Sequence, residues 1–402
     1  MDLERLYSTN MKNTKRSAIR ELLKLTEKEG LISFGGGFPD PGVFPKEEIA
    51  QITAEVLAAE GNSALQYGLT AGNPRLRRAL AKWEAAQGLH LGEENVIITT
   101  ASQQGLELVS KMFIDPGDTV IVELPSYLGG LNAFTSYQAN LVSIPLDDEG
   151  MKVDLLSDKL KELHDLGKMP KFIYVVPDFQ NPAGVTLSLE RRRKLLELCY
   201  QYDLLLVEDT PYRELRFEGT APLDLLALDE RGYVISLHTF SKILFPGMRL
   251  GWALGPREII DKMELAKQSM DLCSPSFPQS IVLRYMERGL LEPQIQRIIS
   301  IYRKKRDTML KALEAYMPKV PGMHWTHPEG GLFLWVTLPE SIDTEEMFTE
   351  AVERNVAYVV GKAFCADGGG ENSMRLNFSF PTEEEISEGI RRLAEAVKAR
   401  LG

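Results

Sequence analysis

Seven short apolar runs rich in β-branched residues lie along the middle of the chain: "NVIITT", "TVIVE", "NLVSI", "KFIYVV", "LLLVE", "YVISLH" and "RLGWAL". Stretches of helical period separate several of them, as at 103–113 and 189–202. Continuous apolar strands alternating with helices predict a largely parallel sheet covered on both faces. Residues from about 65 to 270 therefore read as an α/β core. Ahead of it, 15–28 has the pattern of an amphipathic helix, and "LISFGGGFPDPGVFP" is too rich in glycine and proline for regular structure. "KEEIAQITAEVLAAEG" and "NPRLRRALAKWEAAQG" read as helices closed by glycine. Beyond 277 the pattern turns mostly helical, at 277–289, 292–316, 344–354 and 382–400, around the runs "GLFLWVTL", "VAYVV" and "MRLNFS". That predicts a smaller α+β domain on a short sheet.

With 402 residues the chain exceeds one small core. The expected division is an N-terminal arm over 1–45 packing with the small domain, a large domain over 46–285 and a small C-terminal domain over 286–402. The formal charge of −11 opposes binding to nucleic acid. Cys199, Cys273 and Cys365 are far apart, which suits a reducing compartment, and His324 and His327 form the one close histidine pair, too little for a zinc site. The first twenty residues hold no apolar run of secretory type, and no stretch approaches bilayer length, so a cytoplasmic location and no membrane partner are expected.

Open α/β sheets bind ligands at the carboxyl ends of their strands. After "NVIITT" a helix begins near Gln103, where Ser102 and free backbone N–H groups suit a phosphate. After "TVIVE" comes Tyr127, a flat ring able to stack on an aromatic ligand. Asn181 follows "KFIYVV", and its amide can meet a ring oxygen. Asp209 ends a very apolar strand, where a carboxylate needs a partner such as a protonated pyridine nitrogen, and Tyr212 stands three residues on. Lys242 follows "YVISLH" together with Thr239, Ser241 and, after the Pro246-Gly247 turn, Arg249. Taken singly, each has a plainer explanation: Ser102 as a helix cap, Tyr127 as packing, Asn181-Pro182 as a turn. Together they describe one ligand with a phosphate, an aromatic ring, a basic ring nitrogen, a ring oxygen and an aldehyde. Pyridoxal 5′-phosphate (PLP) has all five.

The segments "QYGLTAGNPRLR", "TTASQQGLEL", "PSYLGG", "PDFQNPAGVTLS", "VEDTPYREL", "TFSKILFPGMRLGW" and "MRLNFS" occur in one order between about residues 30 and 380. In this the sequence resembles the class I/II aminotransferases of PLP fold type I. The resemblance implies a large domain built on a mostly parallel seven-stranded sheet, with a smaller α+β domain. It implies Lys242 as Schiff-base lysine and general base, Asp209 opposite the ring nitrogen, Tyr212 and Asn181 at the ring oxygen, and Tyr127 on the ring face. Ser102, Gln103, Thr239, Ser241 and Arg249 would surround the phosphate, and Arg375 would grip the substrate α-carboxylate. It also implies a homodimer in which Tyr67 reaches the neighbouring subunit's phosphate.

The N-terminal segment resembles a narrower subgroup, the 2-aminoadipate aminotransferases and their kynurenine- and aromatic-acting relatives. There Gly36 would line the site, the first helix would cover the substrate, and Ser17 and Arg20 would lie where a distal carboxylate is held. The expected reaction moves an amino group to 2-oxoglutarate by a ping-pong scheme. A PLP-dependent β-lyase or decarboxylase is the alternative on the same ring. An amino-acid-sensing transcription regulator is the remote one, disfavoured by the acidic charge and the short stretch before "ISFGGGFPDP".

Overall fold

The computed structural model describes residue 3 and residues 5–13 and 30–401 of the chain. The whole of the helix expected at 15–28, and with it Ser17 and Arg20, lies outside the described residues.

The strands in chain order begin with β1 (Ile32–Ser33), followed by β2 (Val96–Thr99), β3 (Thr119–Leu124), β4 (Asn140–Asp147) and β5 (Gly150–Met151). Then come β6 (Phe172–Val175), β7 (Leu205–Asp209), β8 (Val234–Thr239) and β9 (Gly251–Leu254). These last eight form one sheet in the order β2-β9-β8-β7-β6-β3-β4-β5. From β8 through β4 all neighbours are parallel, while β9 runs antiparallel to both β2 and β8. The sheet thus has one strand more than the seven apolar runs predict. The extra one, β5, is two residues long and closes a hairpin with the end of β4, pairing Leu146 with Met151, too short to make an apolar run of its own.

Burial on both faces explains why these strands are apolar throughout. In β6, Phe172 and Tyr174 join one core, while Ile173 and Val175 join the other. The same alternation splits Val207 from Leu206 and Ile235 from Val234, as the two-residue period of a strand requires. Local signals set the helix ends. Asn73 caps the helix Pro74–Ala85 by accepting from Arg75 N, with proline in its first turn. Ser188 caps Leu189–Tyr202, which stops at Asp203 in the left-handed conformation.

Three helices of nine or more residues fall outside the helical segments read from the sequence: Leu128–Ser136, Val153–Asp165 and Arg257–Gln268. The first carries adjacent glycines, poor helix formers. It is held by close packing instead, since a Cβ on Gly130 would lie 2.9 Å from the Tyr174 ring.

The remaining strands are β10 (His324–Trp325), β11 (Phe333–Thr337), β12 (Val356–Ala357), β13 (Val359–Val360) and β14 (Ser373–Asn377). A small antiparallel sheet has the order β10-β11-β14-β13. The run "VAYVV" divides at Tyr358, whose hydroxyl donates to Thr344 O at 2.6 Å. Its first half, β12, pairs parallel with β1, and its second half pairs with β14. The segment before the large sheet is thereby stitched to the last third of the chain, with Asn377 N also donating to Phe34 O. Among the described residues, no helix is long and apolar enough to cross a membrane.

Candidate active site

The strand register brings the polar groups to one edge. Thr239 at the end of β8 pairs with Gly251, which pairs with Thr99 at the end of β2, and Asp209 at the end of β7 pairs with Leu237. The connections leaving β2, β3, β6, β7 and β8 there carry Ser102, Tyr127, Asn181, Tyr212 and Lys242 respectively. Arg375 comes from elsewhere, the centre of β14, paired with Trp335 and Val359.

Asp209 is 1% exposed. Its Oδ2 accepts from the Tyr174 hydroxyl at 3.1 Å, and its Oδ1 is buried with no hydrogen-bond partner. Burial raises its pKa to about 7, opposed only by the Tyr174 bond. A lone carboxylate oxygen in such a place is costly unless a donor meets it.

Lys242 is half-buried, and its Nζ donates to Gly37 O at 2.8 Å. Burial first, then the nearby charges of Arg375 and Arg249, lower its pKa to about 8. Asp209, Arg375 and Arg249 all act electrostatically on the Tyr127 phenol, so these groups face one space. Burial is the largest influence on that phenol and pushes its pKa up to about 12.

Asn181 joins the two halves of the site. Its Oδ1 accepts from Arg375 Nη1 at 2.9 Å, and its Nδ2 donates to the Tyr212 hydroxyl at 3.3 Å. Arg375 Nη2 donates to Gly35 O at 2.7 Å, while Nε is buried without a partner. The guanidinium lies 4.2 Å from the Phe333 ring centroid and 5.1 Å from that of Phe364. Burial lowers the Arg375 pKa to about 10.

The helix Ala101–Phe113 points its N-terminus at the same edge and has no side-chain cap. Ala101 takes a left-handed φ of 58° there, and a Cβ on Gly251 would lie 2.9 Å from Ala101 backbone atoms, so only glycine lets β9 approach so closely. The Gln103 side-chain amide donates to Gly129 O at 3.2 Å, and its backbone N–H, in the first turn of the helix, is left for an anion. Thr239 Oγ1 donates to Ser241 Oγ at 2.9 Å and accepts from Ser241 N, holding both hydroxyls together. Arg249 is exposed, in a left-handed turn that brings the chain back to Gly251.

Gly36 is buried between Gly35 and Gly37, whose carbonyls meet Arg375 and Lys242. Tyr67 is not gathered with the others. It is 79% exposed, between Leu65 at 69% and Leu69 at 60%. Tyr174 is the functional candidate missing from the sequence reading. Inside the run "KFIYVV" its hydroxyl is indistinguishable from core packing, and only the pairing of β6 with β7 shows that it meets Asp209.

The residues present fit PLP. A ring N–H would satisfy Asp209 Oδ1, the Asn181–Tyr212 pair suits a ring oxygen, and a helix start with nearby hydroxyls suits a phosphate. Residues 31–393 match the family model for aminotransferase class I and II. The chain is 50% identical to aromatic-amino-acid aminotransferase 1 of Thermococcus litoralis, over all of this chain and 96% of that one. The solved structure of Pyrococcus horikoshii kynurenine aminotransferase, in complex with PMP, superposes with a TM-score of 0.96 at 49% identity, covering 100% of this chain and 99% of that one. The structure of LysN, the α-aminoadipate aminotransferase of Thermus thermophilus, complexed with N-(5′-phosphopyridoxyl)-L-leucine, gives 0.92 at 38% identity, with coverage of 100% and 99%. The fold, the clustering of Lys242, Asp209, Asn181 and Arg375, and these likenesses along the whole chain agree: it belongs to the class I and II aminotransferases, a family of PLP enzymes.

Proposed function

We propose that this aminotransferase takes the amino group of an aromatic, long apolar or 2-aminoadipate-type L-amino acid and passes it to 2-oxoglutarate in two half-reactions, with PLP held by Lys242. The observation that carries the reading is the unpartnered, buried Asp209 Oδ1, facing the same space as Lys242 and Arg375. The names of similar proteins, which act on aromatic amino acids, kynurenine and 2-aminoadipate, support the donor class.

When bound, PLP supplies an aldehyde that captures the amino group and a ring that takes up the electron pair left by the departing α-proton. Asp209 accepts from the ring N–H and keeps that nitrogen protonated, with Tyr174 holding the other oxygen. Asn181 and Tyr212 hold the ring oxygen, and Tyr127 covers the ring face. Ser102, Gln103, Thr239, Ser241 and Arg249 hold the phosphate. Arg375 binds the donor carboxylate through its planar fork. Lys242 Nζ, with its pKa lowered to about 8, takes the α-proton and returns it to the neighbouring carbon. Gly36 lines the substrate space, and Ser17 and Arg20 meet a distal carboxylate. A second subunit brings Tyr67 to the phosphate, and the exposed Leu65, Tyr67 and Leu69 support such an interface. The units 46–285 and 286–402, with the arm 1–45, are the corresponding domains.

A single-turnover absorbance scan of the holoenzyme tests this reading. 2-Aminoadipate, glutamate, leucine, kynurenine and phenylalanine are added separately. Conversion of the cofactor from its aldehyde to its amine form, with a 2-oxo acid as product, is expected, and the fastest donor names the substrate class. Release of ammonia or carbon dioxide in place of that conversion points to a lyase or decarboxylase.

Arg375→Lys is expected to raise the KM for every donor by roughly tenfold or more, because an ammonium cannot replace the two-pronged grip. The cofactor content should be unchanged. Steady-state kinetics beside a cofactor assay check this, and an unaltered KM removes Arg375 from carboxylate binding.

Arg20→Ala is expected to weaken acidic donors more than aromatic ones, read as the ratio of kcat/KM for 2-aminoadipate and phenylalanine. Equal losses remove Arg20 from specificity.

A further inference from the structure

We infer that Glu123 and Gln180 are positioning residues that set the orientation of the Asn181 amide, and through it the geometry of Arg375 and Tyr212. The inference rests on the proposed cofactor and carboxylate site and adds two residues to its support.

Glu123 and Gln180 are each 1% exposed. Glu123 Oε2 accepts from Val176 N and from Gln180 Nε2, both at 3.1 Å. Gln180 Nε2 also donates to Pro125 O at 2.8 Å, and Gln180 Oε1 accepts from Ala183 N at 2.8 Å. The Gln180 backbone donates to Val185 O and accepts from Gly184 N. One amide thus ties Glu123 near the end of β3, and Pro125 two residues before Tyr127, to both sides of the turn that presents Asn181.

The direction of the Asn181 amide matters because its partners differ. A guanidinium only donates, so it requires the carbonyl oxygen of Asn181. The amide nitrogen is left to donate to Tyr212, which makes the phenol oxygen an acceptor. A half-turn of the amide sets donor against donor at Arg375 and costs that bond, and it turns the Tyr212 hydroxyl from acceptor into donor. The bonds on Gln180 hold the preceding backbone in the position that the correct orientation needs.

Glu123 acts here as an acceptor, not as half of an ion pair. Among the described residues it has no salt bridge, and burial raises its pKa to about 8. It is therefore mostly a neutral acid near pH 7, and glutamine is a close mimic of it.

The test compares Glu123→Ala, Gln180→Leu and Glu123→Gln as holoenzymes. Donor KM and kcat, cofactor content and the pH titration of the cofactor's absorbance are measured. The alanine and leucine variants are expected to raise donor KM by roughly tenfold and to shift the absorbance titration, with cofactor content unchanged. Glu123→Gln should stay within about threefold of the parent, since it keeps the acceptor oxygen. The inference is overturned if the alanine and leucine variants keep the parent's KM and titration while only their melting temperatures fall. It is equally overturned if Glu123→Gln is as impaired as Glu123→Ala. Should Glu123→Ala not fold, Gln180→Glu keeps the acceptor for Ala183 N but loses both donor bonds, and is read on the same measurements. Failure of the parent itself to bind PLP or to convert any donor overturns the reading of the site; a working parent with unaffected variants overturns only the positioning role.

Discussion

Replacing Lys242 by alanine is expected to lower turnover by ~10⁴-fold or more, from the combined loss of a covalent anchor and a general base. The side chain stands three residues beyond the end of β8 with its Nζ 2.8 Å from Gly37 O. Burial and the charges of Arg375 and Arg249 lower its pKa to about 8, far nearer to neutrality than that of an exposed lysine. Among the described residues, no other lysine shares this combination of strand end, burial and nearby arginines: Lys305 is tied to Asp40 and Lys267 to Asp271. Product formation over many turnovers checks the expectation. A purified Lys242→Ala protein that cycles repeatedly with donor and 2-oxo acid defeats the assignment of Lys242.

The second large effect is expected at Asp209, with opposite signs for catalysis and stability. Asn in its place keeps the shape but cannot hold a proton on a ring nitrogen, and a loss of roughly 10²–10⁴-fold in kcat should follow. The cofactor-free Asp209→Asn protein should nevertheless resist urea better than the parent above pH 7. The sign follows from the raised pKa. Folded Asp209 gives up its proton at about 7, against 3.8 for an unperturbed carboxyl, so the folded state binds the extra proton between those values. The parent therefore loses stability as pH rises from about 4 to about 7, and the burden is fully present above that. Asn carries no such charge, so its advantage should vanish as pH falls toward 4. Urea melts of both cofactor-free proteins at pH 5 and pH 8 read the difference directly, and a gap equal at the two pH values refutes it.

Much of the candidate site is legible in the sequence because its residues sit where the hydrophobic pattern stops. Lys242, Asp209, Asn181 and Tyr127 each follow an apolar run, and strand ends of a parallel sheet share one edge. Tyr174, Glu123 and Gln180 were not legible. Tyr174 and Glu123 lie within strands and Gln180 within a turn, and no local pattern marks any of them. Their roles come from β3, β6 and β7 lying side by side, which only the sheet order supplies. Arg375 was placed by likeness to a family, and its bond to Asn181 spans 194 positions of chain.

By itself the sequence determined the α/β alternation, the helix caps at Asn73 and Ser188 and the list of groups that a PLP-like ligand needs, because each depends on neighbours close in the chain. The tertiary structure decided the rest. It added β5 as an eighth strand, split "VAYVV" between two sheets, and formed the glycine-containing helix Leu128–Ser136 against Tyr174. It also left one oxygen of Asp209 without a partner and joined Asn181 to both Tyr212 and Arg375. These are contacts between segments far apart in the chain. Burial of the shared core forces them together, and no periodicity along the sequence records them.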